Sequence, residues 1–226
     1  METKVESLGC AGTQPLVSII ILNYNGVEWL PPCFASIRSQ TILEAIETIF
    51  VDNNSTDSSA TTAKELLAKF PGARVIENAE NSGFSEGNNI GARAARGRYL
   101  FFLNPDTRLE PDCMEKLLAE TEKAKADAAT PWVLQYASDE HQDVGFFGFD
   151  LLGLPSPSAP VKNTCEIFVA SGCAFLINAE VFKKIGGFDR EFFMYCEDAD
   201  LSWRVWIAGG RLIGVPEARM HHRGAA

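Results

Sequence analysis

The sequence predicts an α/β domain built on a mostly parallel sheet with helices on both faces. Three observations carry this. Short aliphatic runs recur at residues 16–22, 46–51, 74–77 and 99–103. Helical spacing fills the intervals between them. Each run also ends in a polar loop, and strand–helix repeats of this kind imply parallel strands joined by right-handed crossovers. At 226 residues the chain is long enough for one such domain with a well-buried core.

Residues 16–22 are continuously aliphatic or β-branched, as in a strand buried on both faces. Asn23-Tyr24-Asn25-Gly26 breaks the run, and residues 27–39 carry helical spacing with Pro31 and Pro32 near the start. Residues 46–51 are a second strand. It ends in Asp52-Asn53-Asn54-Ser55-Thr56-Asp57, where Ser55 or Thr56 can cap the next helix. That helix continues through residues 64–70 and stops at Pro71-Gly72. A third strand at 74–77 precedes the turn Asn81-Ser82-Gly83-Phe84 and a small-residue helix over 88–95.

The fourth strand, 99–103, stops at Asn104-Pro105-Asp106, and residues 109–126 read as a helix with Pro111 close to its start. Over 132–161 the periodicity fades into a long loop containing Gly145-Phe146-Phe147-Gly148-Phe149, then Pro155, Pro157 and Pro160. Such a loop is either a lid or a variable connection. Strand character resumes over 166–177 around Ser171-Gly172-Cys173. A helix over 198–208 ends at Gly209-Gly210, and 212–215 is a last strand before Pro216. Residues 1–14 are expected to be a polar lead-in.

Composition narrows the function. Hydrophobic residues make up 46% and charged residues 22%, and the formal charge of -10 has no basic run to offset it, so nucleic acid is not expected as a partner. The cysteines at 10, 33, 113, 165, 173 and 196 form no CxxC pair, which fits reduced cytosolic thiols. No run is long enough for a membrane span. A cytoplasmic protein is expected, and peripheral attachment to an inner membrane surface is compatible with this.

Ligands of parallel sheets bind at the carboxyl ends of the strands, the edge to which every polar loop above belongs. Asp52 there can accept the N3–H of a uracil or thymine, with Tyr24 as an aromatic face, or it can make an Asx turn. Asp106 can take one position on Mg²⁺ or Mn²⁺, and His221 or His222 can add an imidazole. No dinucleotide fingerprint or P-loop is present. Finally, Glu197, Asp198 and Asp200 place carboxylates within four residues beside Phe192, Phe193, Met194, Tyr195 and Trp203. They suit general-base or metal chemistry, or an acidic helix cap with an Asp200–Arg204 pair.

Taken in order, these motifs resemble the inverting family-2 glycosyltransferases of the GT-A fold, especially their rhamnosyltransferase-like branch. The matching stretches begin with the first strand and Asn23-Tyr24-Asn25-Gly26, then Val51-Asp52-Asn53-Asn54-Ser55-Thr56-Asp57 and Asn81-Ser82-Gly83-Phe84-Ser85-Glu86-Gly87-Asn88-Asn89. Phe102-Leu103-Asn104-Pro105-Asp106-Thr107, Ser171-Gly172-Cys173-Ala174-Phe175, Gly186-Gly187-Phe188-Asp189 and Glu197-Asp198-Ala199-Asp200-Leu201 follow.

The resemblance implies a single Rossmann-like GT-A domain over 15–226, with a nucleotide-binding half (15–107) and an acceptor and catalytic half (108–226). It implies nucleotide contacts from Asn23, Tyr24, Asn25, Asp52, Asn54, Asn81, Gly83, Phe84, Asn88 and Asn104. Asp106 with His221 or His222 would meet the metal, Asp198 would be the general base, and Glu197 and Tyr195 would contact the acceptor. Asn104 stands where the family's DxD motif has its first acid, which removes one charge. Ser202-Trp203-Arg204 replaces the QxxRW of processive synthases.

The implied reaction is non-processive: one sugar passes with inversion from a dTDP- or UDP-linked donor, dTDP-rhamnose foremost, to a hydroxyl of a glycan or lipid-linked acceptor in polysaccharide or cell-wall biosynthesis. A catalytically silent nucleotide-sugar binding module is the competing reading. A sugar nucleotidyltransferase is disfavoured, because no Gly-rich loop with a Lys or Arg follows the first strand.

Overall fold

The computed structural model describes residues 3–7, 14–138, 140–143, 145–148 and 161–224. The four expected aliphatic runs are strands, because β-branched and aromatic side chains pack well on a sheet covered from both sides. In chain order the strands are β1 (Lys4–Ser7), β2 (Val17–Asn23), β3 (Ile46–Asp52), β4 (Arg74–Glu77), β5 (Tyr99–Leu103), β6 (Thr107–Leu109), β7 (Ala128–Gln135), β8 (His141–Asp143), β9 (Cys165–Glu166), β10 (Ala174–Asn178) and β11 (Leu212–His222). The helices are α1 (Leu30–Arg38), α2 (Ser59–Leu67), α3 (Gly83–Ala94), α4 (Cys113–Ala124), α5 (Ala179–Lys184) and α6 (Glu197–Ile207).

The sheet runs β1-β4-β3-β2-β5-β10-β7-β11-β6. Strands β2 to β5 pair in parallel, as do β7 and β11, and β10 joins the two groups by running antiparallel to both β5 and β7. The carboxyl ends of β2, β3, β4 and β5 therefore share one edge with the amino end of β10. Alternation along the strands divides the core. Ile19, Phe50 and Phe101 face α1, α2 and α4 through Phe34, Leu67 and Leu117, whereas Ile20, Phe102 and Phe175 face α5 and α6 through Phe182, Leu201 and Val205.

Several elements differ from the sequence reading. The lead-in contains β1, an exposed antiparallel edge strand on β4. The helix expected over 109–126 starts at Cys113, because Thr107–Leu109 is taken into the sheet opposite β11. Ser55 and Thr56 do not cap α2. Ser58 is its N-cap, and the Asp57 carboxylate accepts the Ser59 N–H at 2.9 Å.

The structureless stretch expected from Trp132 conceals the second half of β7, with Pro131 inside it opposite Val215. The strand expected over 166–177 is interrupted: Ser171, Gly172 and Cys173 lie between Ala170 and β10 as a turn. The last strand does not stop at Val215 but continues through Pro216 to His222, with a register shift between Val215 and Arg219 that absorbs the proline. Of the long loop, Phe149 and Pro155, Pro157 and Pro160 fall outside the described residues.

Candidate active site

Asn23 pairs with Asp52 across the ends of β2 and β3. Asp52 is only 4% exposed. Its Oδ2 accepts the Ser55 N–H at 3.0 Å, while Oδ1 is buried with no partner. Leaving a buried polar atom unmade costs about 1–3 kcal/mol, so such an atom is a natural place for a ligand donor. The Asx-type bond thus occupies one oxygen and leaves the other without a donor. Asn23 is also buried, with its Oδ1 unpartnered. Tyr24 beside it is 53% exposed, and Asn54 stands exposed in the left-handed region at φ 65°.

Other expected nucleotide contacts also brace the framework. Asn25 Oδ1 accepts the Thr56 N–H at 2.7 Å and Asn25 N donates to Ser55 Oγ at 2.9 Å, so the loops after β2 and β3 are stitched together. Asn81 Oδ1 accepts from Asn53 Nδ2 (2.8 Å) and Gly83 N (3.0 Å). Asn88 is buried, and its amide donates to the Phe84 carbonyl at 3.1 Å.

The hub of this edge is Asn53, for which the sequence motif suggested no role. It donates to Asn81 and to the Gly83 carbonyl, and its Oδ1 accepts from Asn78 Nδ2 and from Ser82 N and Oγ. A polar residue flanked by Asp52 and Asn54 was the only available signal, and its partners are 25 or more positions away.

Across the edge, Asn104 N donates to the Cys173 carbonyl at 3.0 Å and the Asn104 carbonyl accepts from Thr107 Oγ1 at 2.6 Å. These bonds aim the turn so that Asp106 Oδ1 lies 3.4 Å from His222 Nε2. Burial disfavours the charged imidazole, but hydrogen bonds to Asp106 and Cys173 outweigh it and push the His222 pKa up to about 10.

His221 cannot share that position. Successive side chains of β11 point to opposite faces, and His221 Nε2 meets Glu110 Oε1 at 2.7 Å instead. Strand alternation places His222 beside Asp106 and turns His221 away.

Asp198 lies in the first turn of α6. Its Oδ2 accepts the Gly172 N–H at 2.9 Å and Oδ1 accepts the Ala199 N–H at 2.8 Å. Burial raises its pKa while those backbone donors lower it, leaving a net upward shift. A side chain on Gly172 would come within 3.3 Å of Asp198 Cβ, so glycine permits the close approach of the Ser171-Gly172-Cys173 turn. Tyr195 and Cys196, both non-glycine, hold left-handed φ values of 74° and 68° immediately before the helix, a locally strained entry. Tyr195 is 68% exposed. Asp200 pairs with Arg204 at 2.9 Å, and Arg204 also donates to the Ile185 and Gly187 carbonyls, pinning the Gly186-Gly187 turn to α6.

Glu197 is buried, with Oε2 unpartnered. Burial pushes its pKa from 4.5 to about 7, backbone hydrogen bonds oppose this, and the Asp198 charge adds to it. A carboxyl with a raised folded-state pKa binds more protons when folded than when unfolded between those two values, so stability falls as pH rises through that window. The Glu197→Gln variant is expected to lack this loss. Its Tm relative to the parent should increase between about pH 5 and pH 8, as read by thermal melts across pH. A Tm difference that does not change with pH would refute the burial effect.

A cavity of about 1560 Å³ opens at the other edge of the sheet, among Leu16, Ala45, Gly97, Asn178 and Phe182. None of the predicted site residues lines it. Of the arginines that line it, Arg93, Arg96, Arg98 and Arg204 are already paired with Glu86, Glu47, Glu122 and Asp200. The convergent unpartnered acceptors lie at the carboxyl edge.

The chain is 33% identical over 131 residues to the putative glycosyltransferase EpsH of Bacillus subtilis, covering 58% of this chain and 36% of that protein. It is 25% identical over 226 residues to the rhamnosyltransferase WbbL of Escherichia coli, covering 92% and 83%. The chain thus spans about a third of the first relative and most of the second. In fold it matches a crystal structure of GalNAc-T7 with UDP, GalNAc and Mn²⁺ at TM-score 0.81, 20% identity, and coverage of 93% of this chain and 44% of that one. The family description "Glycosyl transferase family 2" matches residues 18–186, so the chain belongs to glycosyl transferase family 2 and its sheet is the GT-A fold.

Proposed function

We propose that the chain moves one sugar, with inversion and without processivity, from a pyrimidine nucleoside-diphosphate donor to a hydroxyl of a glycan or lipid-linked acceptor. dTDP-rhamnose is the first donor to consider and a UDP-hexose the second. The observation that carries the reading is the unpartnered, buried Oδ1 of Asp52 on the same strand edge as Asp198.

Asp52 would accept the pyrimidine N3–H, Tyr24 would lie along the base, and Asn23 Oδ1 and Asn54 would complete the nucleoside contacts. Asn25, Asn81 and Asn88 would act by shaping the loops, with Gly83, Phe84 and Asn104 contributing backbone. Asp198 would take the proton from the acceptor hydroxyl. The acceptor oxygen then forms a bond to the anomeric carbon as the bond to the diphosphate breaks, and the diphosphate departs with the electron pair from the opposite face. Glu197 and Tyr195 would flank the acceptor.

A Mg²⁺ or Mn²⁺ ion would be held by Asp106 and, once the ion displaces its ring proton, by His222, a partial set of one carboxylate and one imidazole 3.4 Å apart. No group of three or more such ligands occurs among the described residues. Such ions commonly take one or two protein ligands and substrate phosphates for the rest, and the ion would neutralise charge on the departing diphosphate. His221 is not part of this set. Among the described residues no helix is long and apolar enough to cross a membrane. A cytoplasmic site of action, with peripheral attachment to a membrane, is part of the proposal.

A thermal-shift panel of nucleotide sugars tests the reading. A donor at 100 times its Kd stabilises the fold by about 2.7 kcal/mol, which for a chain of this size is about 5–10 °C in Tm. UDP- and dTDP-sugars with Mn²⁺ should give that shift and GDP-sugars should not. No shift with any nucleoside diphosphate, with or without Mn²⁺, would end the proposal. Asn104 in place of an acid favours a second reading, a silent nucleotide-sugar binding module. That module would shift in the same panel yet release no nucleoside diphosphate.

A further inference from the structure

The segment from Phe192 to Cys196 joins the two halves of the site. The Phe84 N–H, at the start of α3, donates to the Phe193 carbonyl at 2.6 Å. Gly83 approaches so closely that a Cβ there would lie 2.6 Å from that carbonyl oxygen and 2.7 Å from the Phe193 ring, and its φ of 78° is one that side chains rarely adopt. The carboxyl end of the same segment is the left-handed Tyr195-Cys196 pair, after which α6 begins with Glu197 and Asp198.

One end of this strap is therefore fastened to the loop that Asn53 organises next to Asp52, and the other sets the first turn of the helix bearing Asp198. Two consecutive strained residues persist only where surrounding contacts hold them. The contact at Gly83 and Phe84 reaches the nucleotide side.

We propose that Phe193 is a positioning residue: through its carbonyl and ring on Gly83 and Phe84 it transmits order in the donor loop to the amino end of α6, so that Asp198 is held in place when a nucleotide is bound. This rests on the donor reading above. Phe193 touches neither reacting atom; it acts through α6.

Hydrogen exchange measured with dTDP and Mn²⁺ tests it without requiring turnover. In the parent chain, dTDP should slow exchange by at least severalfold both at 81–86 and at 193–201. In Phe193→Ala, dTDP should still bind within about threefold of the parent Kd by calorimetry and still protect 81–86. Protection at 193–201 should be lost, and Phe193→Tyr should restore it. Equal protection at 193–201 in parent and Phe193→Ala, or none there in the parent, overturns the coupling while leaving the donor reading intact. A parent chain that binds neither dTDP nor UDP overturns both. Should Phe193→Ala fail to fold, Phe193→Leu, which keeps an apolar group over Gly83, carries the same comparison. A Leu variant in which dTDP protects 193–201 as in the parent counts against a requirement for the ring.

Discussion

Asp198→Asn should reduce kcat by about 10²–10⁴, the usual contribution of a positioned general base, while donor affinity stays within about twofold. The substitution is nearly isosteric, and burial already disfavours the charged carboxyl. Removing the charge relieves that penalty, but only one backbone donor, Gly172 N or Ala199 N, keeps its acceptor on the remaining oxygen, and the other faces the amide NH2 and loses its acceptor, at a cost of about 1–3 kcal/mol. A modest fall in Tm is therefore expected, with the fold retained. The pattern to look for is lost turnover in a folded, donor-binding protein, measured by nucleoside-diphosphate release and calorimetry on the same preparation. If Asp198→Asn turns over within threefold of the parent, another group takes the proton and Glu197, buried beside it, becomes the next residue to test.

Strands β2 to β5 were legible because each is a continuous apolar run between polar loops, a pattern that depends only on local sequence. The strands that were missed are those whose stability is non-local. Ala128 to Pro131 carries one β-branched residue and a proline, and it is a strand because Ile213 and Val215 of β11 and Leu176 of β10 lie beside it. Pro216 looked like a stop and is instead absorbed by a register shift in β11. That continuation turns His221 and His222 to opposite faces, a distinction that counting along the sequence could not make.

At the candidate site, the titratable residues were visible as residue types, whereas their supports were not. Gly172 reaches Asp198 across 26 positions and Asn53 reaches Asn81 across 28, and neither partner can be paired by spacing. Asn25, Asn81 and Asn88 look like ligand contacts in sequence because asparagine serves equally well as a loop brace. Only the hydrogen-bond pattern separates the two uses.

Asp52→Asn offers the sharpest test of donor recognition, because it changes one atom's hydrogen-bonding sense and little else. Oδ2 of Asp52 is fixed by the Ser55 N–H, so the asparagine oxygen is held there and its amide nitrogen takes the place of the unpartnered Oδ1. Uracil and thymine present N3–H at the proposed contact, and donor would then face donor. Hydrogen bonds to charged groups are worth about 1.5–3 kcal/mol, so the Kd for UDP and dTDP should rise about 10–150-fold. Cytosine presents an unprotonated N3, an acceptor that the new amide can serve. The ratio of CDP to UDP affinity should therefore move towards CDP by at least about tenfold, measured by calorimetry with Mn²⁺. A general loosening of the loop would weaken all three nucleotides together. An unchanged UDP affinity would remove Asp52 from base recognition and leave its buried oxygen to a structural water.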